Sequence, residues 1–88
     1  MNTLEQINMD EIGLEMAQEA YDAATKFPPF NSAHEGLAVI LEEFEELKAE
    51  VFKKQPEYDL AKMRREAVQL GAMAMRFIHD VLESHKGE

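Results

Sequence analysis

The sequence contains no cysteine, which removes disulfide bonds and thiolate metal sites together. It has no apolar run of about 18 residues, the length needed to cross a bilayer, so no membrane span is expected. Basic residues are scarce: nine Lys and Arg stand against 18 Asp and Glu, for a formal charge of −9. Such a field repels phosphate backbones and disfavours nucleic-acid binding unless divalent cations intervene. A basic amphipathic stretch that would seek a membrane surface is missing as well. The opening residues, MNTLEQINMDEIG, lack the positive region and apolar core of a signal peptide. A cytoplasmic protein is the expectation. There is no alternating β-branched run and no hairpin dipeptide, which excludes a sheet, and no internal repeat or low-complexity tract.

What is there is one short domain of 88 residues. A chain of this size buries a modest share of its surface, and small scaffolds recover stability through disulfides, a metal or oligomerisation. With disulfides excluded, oligomerisation or carboxylate-bound metal remains. The pattern predicts three helices, over about 4–26, 33–54 and 60–85, separated by two proline-containing breaks. Thr3 is placed to cap the first, whose register Gly13 weakens. FPPFN at 27–31 cannot continue a helix, because consecutive prolines lack amide donors and restrict the residue before them. Ser32-Ala33-His34-Glu35 has the capping-box pattern for the second helix, and Lys53 and Lys54 suit its C-terminal end. QPEYD at 55–59 forms the second turn, and Asp59 caps the third helix, which ends near Gly87.

At about 100° per residue, Leu37, Ile40, Leu41, Phe44, Leu47 and Val51 fall on one side of the second helix. Glu35, Glu42, Glu46 and Glu50 fall on the other, with Glu43 at the border. A charged stripe is ordinarily a solvated face. This one holds six glutamates between positions 35 and 50 with only Lys48 among them, so it lacks the i,i+4 ion pairs that stabilise such faces. A hard cation such as magnesium would neutralise some of that charge. On the third helix Met63, Leu70, Met73, Phe77 and Val81 share an arc, and Glu66 projects from its middle. A carboxylate in an apolar stripe needs a partner. That partner is either an arginine, Arg64 or Arg65 being near, or a metal shared with the second helix. Val68, Ala72, Met75, Ile78 and Leu82 cover much of the opposite side, and Ala67, Gly71, Ala72 and Ala74 allow a close helix. A three-helix monomer cannot bury both faces, so an all-α protomer assembling as a dimeric or tetrameric bundle is expected. The six methionines read as core filler.

Residues 42–46 read EEFEE and residues 66–69 read EAVQ, with nineteen residues between Glu46 and Glu66. This resembles the MazG-like nucleotide pyrophosphohydrolases, compact phage-type members included, which carry E-E-x-x-E on one helix and E-x-x-D on the next long one. The similar stretches, NSAHEGLAVILEEFEELKAEV and REAVQLGAMAMRFIHDV, cover roughly half the chain. The resemblance implies an all-α MazG-like fold and hydrolysis of a nucleoside triphosphate to the monophosphate and pyrophosphate. It also implies Mg2+, or Mn2+, held by carboxylates. Glu43, Glu46 and Glu66 would be ligands, and Glu42 a ligand or water-positioning base, so that Glu42 and Glu43 carry the catalytic role. Gln69 stands where the family has aspartate and offers a neutral carbonyl, a poorer magnesium ligand. The alternative is therefore a weak or inactive helical oligomer that binds nucleotide or a protein partner.

The remaining polar candidates carry two readings each. His34 is a helix N-terminal residue or a nucleotide contact, and Asn31 a turn residue. Lys62 and Arg65 pair with phosphate or with nearby glutamates. Asp80, about three turns beyond Gln69, serves the substrate only in a different site geometry, and His79 and His85 form no metal spacing. No serine is grouped with a histidine and an acid, so nucleophilic catalysis has no support.

Overall fold

The computed structural model describes residues 3–54 and 59–83. The third helix beyond Glu83, with His85, and most of the 55–59 turn lie outside the described residues. Three α-helices follow one another: α1, Leu4–Lys26; α2, Ala33–Val51; and α3, Leu60–Phe77, which continues into a wider π-helical turn, Ile78–Leu82. Local chemistry sets each start. Thr3 and Gln6 form a full reciprocal box, the Thr3 hydroxyl accepting the Gln6 amide at 3.1 Å and the Gln6 carbonyl accepting the Thr3 amide at 2.8 Å. α1 then runs unbroken through Gly13 and stops at Phe27, where the backbone turns extended ahead of Pro28 and Pro29. Ser32 accepts the Glu35 amide at 3.1 Å, but the Glu35 carboxylate reaches back to the backbone and side-chain amides of Asn31, so only half of the expected box forms. α2 ends at Val51, three residues before the predicted Lys54. Asp59 caps α3 by accepting the Lys62 amide at 3.1 Å.

Glu50 lies beside Lys62 and Gly36 beside Phe77, so α2 runs antiparallel to α3. Glu15 pairs with Arg64 and Glu19 with Gln69, so α1 runs parallel to it. α1 and α2 occupy opposite flanks of α3, and the chain forms a flat layer of 51 × 38 × 19 Å. Its core is small: Phe30, Ala72 and Met73 are buried, and Ala20, Ala23, Val39, Ile40, Phe77 and Val81 pack around them. Two glycines let the layer close up. A Cβ at Gly36 would sit 2.6 Å from the Phe77 ring, and one at Gly71 would overlap the Met16 thioether. Gly71, expected to await another subunit, is thus met by Met16 of α1, and Val68 and Ala72 are buried within the chain, while Met75, Ile78 and Leu82 stay exposed. Among the described residues no helix is long and apolar enough to cross a membrane.

The predicted apolar side of α2 is split in two. Ile40 and Leu47, with Gly36, Glu43 and Glu50, turn toward α3, whereas Leu37, Leu41, Phe44 and Val51 remain exposed. Glu50, assigned above to the solvated side, is buried.

Candidate metal centre

The row of α2 that faces α3 carries Glu43, and Glu46 follows one turn on. Glu66 enters from the apolar arc of α3, as its position between Met63 and Met73 foretold. One carboxylate oxygen from each of the three lies within 4.8 Å of the others. Glu43 and Glu66 are half-buried and Glu46 is exposed. The Oε2 of Glu43 is shut off from solvent and has no hydrogen-bond partner among the described residues. Burial pushes the Glu43 carboxyl up to about 7, helped by the charge of Glu46 and a hydrogen bond with it, and then by Glu66 and Glu42. Glu66 is raised in the same way, by burial first and then by its hydrogen bond and charge contact with Glu46, against the opposing pull of Lys62. A cluster of this kind reaches neutrality by taking up a proton or by binding a cation.

Next to it Glu50, 5% exposed, is held by Lys53 at 2.9 Å and Lys62 at 3.3 Å. Those two lysines keep its carboxyl below the usual carboxylate range. Lys62, a candidate for phosphate, is thereby engaged by a carboxylate of the same chain. Gln69 turns away from the three glutamates: its amide nitrogen donates to Glu19 of α1 at 2.7 Å. Arg64, one of the two arginines near Glu66, is bound to Glu15, whose carboxyl it lowers. Glu42 is exposed beside the cluster and adds its charge to it, and Arg65 is exposed. His34 is exposed in the first turn of α2, nine residues before Glu43, which amounts to about 14 Å of helix.

Asp80 is not part of the centre. Fourteen residues, or about 21 Å of helix, separate it from Glu66. It accepts the Phe30 amide at 3.2 Å and lies 3.6 Å from the Arg76 guanidinium. Arg76, which sequence reasoning passed over, is 6% exposed, donates to the Pro28 carbonyl at 2.9 Å and stacks 4.6 Å over the Phe30 ring. The two residues pin the FPPF turn to the end of α3. Their i,i+4 spacing was the available signal. Beside them a groove of about 400 Å³, walled by Tyr21 and Phe27, separates α1 from α3. Arg76 is about 15 Å along α3 from Glu66, so this groove is separate from the carboxylates.

Comparison of the chain with family models, with curated proteins and with solved structures finds no match.

Proposed function

We propose that Glu43, Glu46 and Glu66 hold a divalent cation, Mg2+ or Mn2+, and that the protein is a MazG-like nucleoside triphosphate pyrophosphohydrolase working as a cytoplasmic homodimer or homotetramer. The observation that carries the reading is the meeting of three carboxylates from two helices around a buried, unpartnered oxygen of Glu43. An acidic stripe made only for solvation would point its oxygens into water, where each finds partners. The donor set fits a hard ion that takes oxygen ligands.

In this reading Glu46 and Glu66 bind with Glu43, and the apolar neighbours of Glu66 limit water on the α3 side. A bound ion would neutralise phosphate charge and lower the pKa of an attacking water. Without the ion, Glu43 has its carboxyl near 7, so that proton and cation compete for the same oxygens at neutral pH. Glu42 lies at the open edge, where a carboxylate can orient water. The products are a nucleoside monophosphate and pyrophosphate, the water oxygen ending on one of them. One observation favours the alternative of a weak or inactive nucleotide-binding oligomer. Gln69 is neutral and committed to Glu19, so position 69 adds no carboxylate to the set.

Calorimetric titration with MgCl2 or MnCl2, alone and with a nucleoside triphosphate, tests the centre directly. Binding that is lost in Glu66→Gln is expected. No heat at millimolar metal, with or without nucleotide, would remove the proposal. Pyrophosphate release across nucleoside triphosphates then separates enzyme from inactive binder. Gln69→Asp with Glu19→Gln, which exchanges the two charges, should raise turnover if the missing carboxylate limits it.

A further inference from the structure

The exposed row on α2 has more regularity than stray surface apolars show. Leu37, Leu41, Phe44 and Val51 are 61%, 55%, 47% and 42% exposed. With Lys48 they follow one another in steps of four, three, four and three residues, the spacing of a coiled-coil seam interrupted by one polar position. α3 does not use this row, because it packs on the row of Gly36, Ile40, Glu43, Leu47 and Glu50. Because α2 and α3 run antiparallel, a rotation of about 100° per residue brings Ala74 and Ile78 of α3 to the same broad face of the layer. Glu46 points to the other face.

The size of the deficit indicates what covers the row. The chain exposes 6819 Å², whereas a compact monomer of 10.1 kDa exposes about 5,300 Å². Its radius of gyration is 15.0 Å, against about 12 Å for a compact domain of this length. The excess of roughly 1,500 Å² exceeds one partner's share, about 800 Å², of an ordinary stable interface. A deficit built into the fold calls for a partner that is present whenever the chain is, and a second copy meets that condition.

We propose that two copies pair through this row of α2, antiparallel about a two-fold axis. This rests on the oligomeric reading above and names its surface. Charge sets the direction. Glu45 flanks the row and Lys48 lies in it, both toward the C-terminal end of the helix. Antiparallel pairing brings Lys48 of each copy toward Glu45 of the other, while parallel pairing in register would set Lys48 against Lys48 within the seam. The arrangement leaves Glu43, Glu46 and Glu66 uncovered on the far face.

The test uses the absence of native cysteine. Light scattering of the intact chain should give twice 10.1 kDa or a multiple of that. Leu41→Glu with Phe44→Glu should weaken association by about 100-fold or more, as loss of central apolar anchors does. Spin labels at Ala38→Cys, Glu45→Cys and Phe52→Cys, beside the seam and exposed, are read in the otherwise unaltered protein. A short label-to-label distance at 45 with longer ones at 38 and 52 supports the proposal. Short distances at all three overturn the antiparallel direction. An oligomer with all three pairs far apart overturns this surface and leaves the oligomer standing. A monomer overturns both.

Discussion

Glu43 is the residue whose chemistry is most exposed to a solution measurement. Its carboxyl is raised from an ordinary 4.5 to about 7, with burial as the leading cause. A raised pKa means that the folded chain holds the proton more tightly than the unfolded one. The resulting stability is present in full below about pH 4.5 and is lost as pH climbs through 7. Glu66 acts in the same direction. Without metal the melting temperature should therefore fall between about pH 5 and pH 8, each kcal/mol lost being ~4–8 °C in a domain of this size. Glu15 and Glu50, lowered by their cationic partners, reverse the slope only in more acid solution. Saturating magnesium should flatten the fall, because the ion replaces the proton. A melting curve independent of pH over that range would show the three carboxylates to be uncoupled. Two glycines give a second contrast at this scale. Nothing lies within 4 Å of a Cβ at Gly13, so Gly13→Ala should stabilise the chain by about 0.5–1 kcal/mol through helix propensity alone. Gly36→Ala should destabilise it by ~1–3 kcal/mol, because the new methyl meets the rings of Phe77 and Phe30. Urea midpoints of the two variants should move in opposite directions.

At the scale of elements, what is local was legible and what is not local was hidden. Thr3, Ser32 and Asp59 cap by contacts within four residues, and FPPF breaks the chain by its own backbone, so helix starts follow from sequence. Glu43, Glu46 and Glu66 were singled out by the resemblance and by the place of Glu66 in an apolar arc, and the fold brings their carboxylates within 4.8 Å of one another. The rotation of α2 was not. Its apolar residues form a band wide enough to cover two rows, and periodicity cannot say which row meets α3. The decision came from long-range partners: Phe77 filling the space over Gly36, and Lys62 satisfying Glu50. Gln69 was likewise read against its own helix, whereas its hydrogen bond goes to Glu19, fifty residues earlier. The FPPF anchor belongs here too. Arg76→Ala would take the guanidinium from Asp80, which keeps the Phe30 amide and His79, and would leave the Pro28 carbonyl without its donor, a loss of about 1–3 kcal/mol. Arg76→Lys keeps the charge but loses the planar stack on Phe30, and should cost less. Chemical denaturation would rank them, and equal losses would show that charge alone anchors the turn.

The molecule as a whole is a layer one helix deep, and this decides how it should respond to concentration and salt. Only Phe30, Val68, Ala72 and Met73 are buried apolar residues among those described, and Leu37, Leu41 and Phe44 lie open. So small a core leaves a thin margin, since net stability is the slim remainder of large opposing terms. If a second copy supplies the rest, unfolding releases two chains and stability becomes a function of protomer concentration. The melting temperature should then rise steadily as the protein is taken from about 1 μM to 100 μM, a range of about two decades that adds roughly 2.7 kcal/mol through mass action. Salt should act in the same direction. Each copy carries a formal charge of −9, and bringing two together raises their mutual repulsion, which ions screen over about 10 Å at 0.1 M. A protein held together chiefly by ion pairs between copies would weaken with salt. One held by an apolar seam under net repulsion strengthens, so melting at 0.05 M and 0.5 M NaCl, at two concentrations, separates the two. A melting point unmoved by dilution would mean that the layer is stable alone, and the apolar row on α2 would then need a different account.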